Sequence, residues 1–168
     1  MTRKNYAAAV ALIAMLAGVP VRAGTTTTTM TVGTTLVSGC SVSAGPLAFG
    51  SYTPGAGAIE GSTTITLRCS NGALYAVGLN VGSTAGASYV TRLLANGAST
   101  LQYNLYTSSA RTTVWGDGSG STQVVSGHSL GFTTPITLTV FGQVLDSSAN
   151  QLTAPGNYTD TIFVVLSY

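Results

Sequence analysis

The sequence predicts an all-β chain built as an antiparallel sandwich or barrel, on three observations. Apolar residues recur at every second position in several short runs. Turn dipeptides separate those runs. Only 6% of the 168 residues are charged, while threonine, serine and glycine abound, so the Glu, Lys and Ala stock of long amphipathic helices is missing. Many short alternating runs bounded by turn chemistry bury one face of each strand against a second sheet.

The elements follow in chain order. Arg3 and Lys4 precede an apolar run from Tyr6 to Val19, and Val21-Arg22-Ala23 places small residues at a cleavage-site spacing. This is the pattern of a secretory signal, residues 1–23, cleaved after Ala23. The run is too short to span a bilayer, and no later segment replaces it, so no membrane span is expected after cleavage. Next comes an arm, residues 24–38, opening with five threonines, Thr25–Thr29. The arm is β-prone throughout and sets Met30, Val32, Thr34 and Leu36 on one face. A free terminal tail has little reason to be written as a strand. It pairs either within its own domain, as a first strand, or with a partner.

The domain proper, residues 39–168, carries the strand signals. Ser62–Ser70 sets Ile65, Leu67 and Cys69 against Thr64, Thr66 and Arg68. Leu101, Tyr103 and Leu105 alternate with Gln102, Asn104 and Tyr106, and Ile136, Leu138 and Val140 with Thr137 and Thr139. Tyr158–Tyr168 alternates Tyr158, Ile162, Val164, Leu166 and Tyr168 with Thr159, Thr161, Phe163 and Val165. Pro54-Gly55, Asn71-Gly72, Asn96-Gly97, Asp117-Gly118 and Pro155-Gly156 supply turns. One short helix is expected near Tyr89–Ala95.

Charge and cysteine content exclude several function classes. Without the signal, Arg68, Arg92 and Arg111 face Glu60, Asp117, Asp146 and Asp160, a net charge near −1 with no lysine. Nucleic-acid binding needs clustered Lys/Arg, so no nucleic-acid partner is expected. Cys40 and Cys69, in an exported chain, predict one disulfide rather than two buried thiols. In the chain-entropy picture such a bridge stabilises by about 3–4 kcal/mol. Two cysteines and one histidine fall short of a structural zinc site, and no cofactor is expected.

Two motifs invite a catalytic or metal reading. Gly127-His128-Ser129-Leu130-Gly131 matches the G-x-S-x-G elbow of serine hydrolases, which would make Ser129 a nucleophile and the chain a secreted esterase. A triad needs a histidine from elsewhere, and the chain's single histidine sits inside the motif. A strand signal with Pro135, rather than a helix, follows. The motif therefore reads as a turn with an exposed His128, and the chain as not an enzyme. Trp115-Gly116-Asp117-Gly118-Ser119-Gly120 offers one carboxylate where calcium loops use several oxygen ligands, so it reads as a hairpin turn with Trp115 at its base.

From about Gly39 onward the chain resembles the spore coat protein U family, which includes subunits of archaic chaperone–usher pili. The resemblance is carried by Cys40-Ser41-Val42, Leu47-Ala48-Phe49-Gly50-Ser51-Tyr52, Leu67-Arg68-Cys69, Leu101-Gln102-Tyr103-Asn104-Leu105-Tyr106 and Thr113-Val114-Trp115-Gly116-Asp117-Gly118. It continues through Thr139-Val140-Phe141-Gly142 and Ala154-Pro155-Gly156-Asn157-Tyr158-Thr159-Asp160-Thr161 to a closing Tyr168. The resemblance implies an immunoglobulin-like antiparallel β-sandwich that lacks its last strand and is completed by donor-strand complementation. A periplasmic chaperone lends a strand first; a neighbouring subunit's arm replaces it at the outer-membrane usher. The chain is then expected in the periplasm in transit and afterwards in a cell-surface pilus serving adhesion and biofilm formation. Met30, Val32, Thr34 and Leu36 become the inserted face. Ile162, Val164, Leu166 and Tyr168 become the receiving groove and chaperone-binding strand. The alternatives are a non-fibrous secreted coat or matrix protein and, remotely, the esterase; a tip adhesin carries a second domain for which this chain has no room.

Overall fold

The structure, a computed structural model, describes residues 22–168. The expected signal, residues 1–23, lies outside the described residues except for Arg22 and Ala23. The chain divides between Thr35 and Leu36 into two units. In the first, residues 22–35 form no strand and are exposed. Among the described residues no helix is long and apolar enough to cross a membrane.

The second unit is an immunoglobulin-like sandwich of two antiparallel sheets. The larger sheet contains β1 (Cys40–Ala44), β2 (Ile59–Cys69), β4 (Arg92–Asn96), β5 (Ser99–Tyr106) and β7 (Ile136–Val144), in the order β1-β2-β7-β5-β4. The smaller contains β3 (Leu74–Leu79), β6 (Val125–His128) and β8 (Val164–Ser167), in the order β6-β3-β8. A single turn of helix, α1 (Ser148–Gln151), links β7 to the last segment, its N-terminus capped by the Ser147 hydroxyl. The period-two runs fold as read: Ile65, Leu67, Cys69, Leu101, Tyr103, Leu105 and Val140 are buried between the sheets. Val77 and Leu79 meet them from β3, around a fully buried Trp115 whose indole N–H donates to Val77 O at 2.8 Å.

Four readings need correction or completion. The stretch expected to be helical runs into β4, because the Asn96-Gly97 turn (φ 59° at Gly97) folds it back onto β5, and five partner pairs across a ladder outweigh weak helix propensity. Asn104, set with Gln102 on the face opposite Leu101, Tyr103 and Leu105, is buried as they are: its carboxamide accepts from Arg92 at 2.6 Å and donates to Tyr89 O and Val90 O. The Trp115–Gly120 loop is not a hairpin, since Trp115 bridges Gln123 in parallel, and Asp117 closes the turn on Ser119 instead. The last segment is not one strand. Thr159 pairs with Ala95 of the larger sheet in an isolated bridge, and only Val164–Ser167 pairs with β3 of the smaller.

That crossing between sheets is held by Asp160. Its carboxylate accepts from the Ser83 N–H and hydroxyl at 2.8 and 3.0 Å, the Thr161 N–H at 2.8 Å and the Tyr103 hydroxyl at 2.6 Å. Gly82 (φ 102°) lies so close to this carboxylate that a Cβ would collide with it.

Candidate functional site

The site is the open side of the sandwich along β8. This strand pairs with β3 on one edge only, through Ala76↔Ser167, Val77↔Leu166, Gly78↔Val165 and Leu79↔Val164. Asn80 N–H donates to Phe163 O, which fixes the phase of the ladder. Antiparallel alternation then turns the backbone groups of Val165 toward β3 and those of Val164 and Leu166 toward the open side. A strand edge with unpaired N–H and C=O groups above an apolar floor is a template for another strand.

The sequence places apolar side chains under that edge. Ile162, Val164 and Leu166 point inward and pack against the core, while Phe163 and Val165 face solvent. Ile162 and Val164 line a cavity of ≈ 290 Å³ whose floor is Thr63, Ile65, Leu105 and Val140 of the larger sheet. It adjoins a wider hollow of ≈ 740 Å³ toward Pro54, Leu101, Asn150 and Tyr158, the two sharing Leu47, Phe49, Leu94 and Asp160. Tyr168 follows the end of β8, is exposed, and lines neither cavity.

The far wall is the segment after β1. Leu47 and Phe49 lie across the larger sheet where Gly61 and Gly142 are direct partners in the β2–β7 register. A Cβ on Gly142 would come within 2.7 Å of the Phe49 ring, and one on Gly61 within 2.8 Å of Ala48 O. The glycine pair thus clears a flat strip on the sheet. Phe49 settles there edge-on to Tyr103, ring centroids 5.9 Å apart. Tyr52 continues the wall, donating to Asp146 Oδ1 at 2.5 Å, while Gly55 and Gly57 N–H bind the same carboxylate.

Electrostatics in the groove are quiet. Burial, reinforced by the hydrogen bond to Asp160, pushes the Tyr103 phenol well above its ordinary range, so it stays neutral. Behind the groove, Arg92 is 0% exposed, and burial pulls its guanidinium below the usual arginine range. Its donors go to Asn80 O (3.0 and 2.8 Å), Trp115 O (2.7 Å) and Asn104 Oδ1 (2.6 Å), with Tyr89 stacked 5.5 Å away. The Arg92 network holds the Asn80 end of β3, hence the strand on which β8 hangs.

The other predicted residues are placed as follows. Cys40 and Cys69 form a disulfide between partner positions of β1 and β2. Met30 and Val32 are 84% and 82% exposed, Leu36 is 92% exposed, Thr34 is exposed too, and none lies in a strand. Ser129 is 1% exposed, its hydroxyl donating to Cys69 O at 3.1 Å, so the G-x-S-x-G serine is tied into the core. The motif starts on β6 and turns out only after His128, which is exposed. Among the described residues no group of three or more His, Cys, Asp or Glu is arranged to hold a metal. Sequence reading passed over Arg92, Asp160 and the Gly61–Gly142 pair. A lone arginine, acid or glycine carries no periodic signal, although Leu47–Tyr52, Phe141-Gly142 and Asp160 all stood inside the motifs quoted for the resemblance.

Comparison with known proteins places this geometry. A sequence profile of the Spore Coat Protein U domain matches residues 26–165, taking in the threonine arm as well as the sandwich. Among solved structures the chain is similar to the CsuC–CsuE chaperone–tip adhesion subunit pre-assembly complex from archaic chaperone–usher Csu pili of Acinetobacter baumannii. The TM-score is 0.57 at 20% identity, over 80% of this chain and 41% of that one, a likeness of fold. This chain thus spans less than half the length of the chain it matches. No curated protein matches it by sequence. With five sixths of its length under the family profile, the chain belongs to the Spore Coat Protein U family.

Proposed function

We propose that this protein is a structural subunit of a surface pilus, assembled head to tail by donor-strand exchange through a periplasmic chaperone and an outer-membrane usher. The reading is carried by one observation: the same chain holds an open groove along β8 and, outside any strand, an arm with alternate apolar residues. Met30, Val32, Thr34 and Leu36 enter the groove of the next subunit above Ile162, Val164 and Leu166. Main-chain hydrogen bonds to the β8 edge supply affinity, and alternate side chains fill the hollows. Burying the Met, Val and Leu side chains contributes about 5–8 kcal/mol before ordering costs. The chaperone occupies the same groove first. A head-to-tail contact has no closing symmetry and makes a filament, which serves adhesion and biofilm formation. A signal cleaved after Ala23 sends the chain to the periplasm, and the fibre stands on the cell surface.

The test is deletion of residues 24–38 with the chaperone and usher co-expressed. Fibres should vanish from electron micrographs while the chaperone still co-purifies with the truncated chain. Normal fibres from the deletion would refute the reading. A cell surface without filaments from the intact chain would favour a non-fibrous coat or matrix protein.

A further inference from the structure

The sandwich has two ends with different surfaces. At the end where the chain enters, around the Cys40–Cys69 bridge, Leu74, Leu130 and Phe132 are exposed. They are neighbours. Leu74 is the partner of His128, Ser129 N–H donates to Ala73 O, Arg68 donates to Phe132 O at 2.8 Å, and the Phe132 ring lies beside Gly39. At the opposite end, where β7 finishes and β5 begins, Leu145 and Leu152 are exposed beside α1, Leu152 by 87%. Asn150, buried between them and β5, pins this corner by bonds to Leu145 O and to both backbone groups of Gln102.

Chain geometry says what covers these patches. On the proposed assembly reading, Leu36 is the last inserted residue, and Cys40 opens the first strand of its own sandwich. Four extended residues span at most about 14 Å. The end of one sandwich carrying Cys40 must therefore abut the mouth of the next subunit's groove. Every ladder of both sheets is antiparallel, so a strand added to β8 completes the smaller sheet by running antiparallel to it. The N-terminal end of β8 lies toward the β7–α1 corner, because β8 runs from Val164 opposite Leu79 to Ser167 opposite Ala76. The inserted arm then leaves the groove at that corner, beside the wide hollow lined by Asn150, Pro155 and Tyr158.

We propose that successive copies make a second, apolar contact outside the groove, with Leu74, Leu130 and Phe132 of the arm-donating copy packing against Leu145 and Leu152 of the receiving copy. The contact rests on the donor-strand reading and extends it. It limits the swing of one sandwich against the next, which a four-residue tether alone leaves free, and it covers apolar surface that stays in water on a single copy.

The experiment uses the full chain exported with its chaperone and usher, carrying the photo-reactive residue benzoyl-phenylalanine in place of Leu152. Irradiated fibres should give a ladder of covalent oligomers, and peptide mapping should join position 152 to the 72–74 or 129–133 segment of a second copy. Fibres that form without this cross-link, or that join 152 to another surface, overturn the end-to-end contact and leave donor-strand assembly standing. An intact chain that makes no fibre overturns both. Leu130→Glu is the second variant: fibres should shed subunits in mild detergent about tenfold faster than the parent, a change equivalent to burying part of one leucine. Its melting temperature as a single copy should stay at the parent value. Unchanged shedding refutes the contact.

Discussion

The arm and β8 are nearly the same kind of sequence. Each lies at one end of the chain and sets apolar residues at alternate positions, Met30, Val32 and Leu36 in one, Ile162, Val164 and Leu166 in the other. Yet Val164–Ser167 is a strand, and residues 22–39 are not. The difference lies in what is beneath and beside them. β8 has the β3 backbone along one edge and Ile65, Leu105 and Val140 below, and Asp160 clamps the chain that leads into it. The arm has neither edge nor floor in its own ladders. Alternation states only which face a strand will bury; a strand forms where unpaired backbone and an apolar floor meet it.

Substitutions can set the two against each other. Val164→Asp should abolish folding or cost about 3 kcal/mol or more, because a carboxylate replaces an apolar side chain packed against the core under β8, read by urea denaturation. Val32→Asp should leave the single copy's urea midpoint unchanged and eliminate fibres in electron micrographs; a shifted midpoint would mean that the arm pairs in cis. Arg92→Met, which leaves Asn80 O and Trp115 O without donors behind β3 and Asn104 Oδ1 with the Leu105 N–H alone, should cost about 3–5 kcal/mol in the same assay. Gly142→Val drives a side chain into the Phe49 ring and should cost about 1–3 kcal/mol. It should also weaken binding of a synthetic peptide of residues 26–38 by calorimetry, since the far wall of the groove moves.

The smallest effect is a pH effect. The hydrogen bond from Tyr52, then that from Gly55, hold the Asp146 carboxyl down at about 2, below its ordinary value near 3.9. A depressed folded-state pKa means that the ionised form favours the fold. That contribution is complete above about pH 4, declines as pH falls, and is gone below about pH 2. Asp146→Asn should flatten this stretch of the acid limb in urea midpoints measured between pH 5 and pH 2. An unaltered slope would show that Asp146 does not tie Tyr52 to the groove wall.

Much of the sandwich was legible because burial on one face imposes a period of two, as in Ile65-Leu67-Cys69 and Leu101-Tyr103-Leu105. The Cys40–Cys69 pairing was legible from export and from a count of two. What was not legible depends on partners distant in sequence. β4 was read as helix because its pairing with β5 cannot be seen in Tyr89–Ala95. Alternation sets Asn104 opposite the apolar face and cannot show that it is buried by an arginine arriving from position 92. The crossing at Asp160 broke what looked like one eleven-residue strand, since its five hydrogen bonds come from positions 83, 84, 103 and 161. The groove could be placed along Ile162–Leu166, but its far wall could not, because Gly61 and Gly142 act only as a pair across a ladder.

The disulfide at the first residue of β1 has a mechanical consequence. In the proposed fibre, tension entering through the arm meets the Gly39–Ser70 hydrogen bonds and then the covalent Cys40–Cys69 link, before any bond of the β1 ladder is loaded. The force passes directly into β2, bypassing an edge strand that could be peeled away one bond at a time. β2 is held by β1 on one side and by nine partner positions of β7 on the other, so many hydrogen bonds resist the pull at once. A fibre assembled as proposed is then only as strong under shear flow as the non-covalent joint between copies, and the sandwich itself is spared.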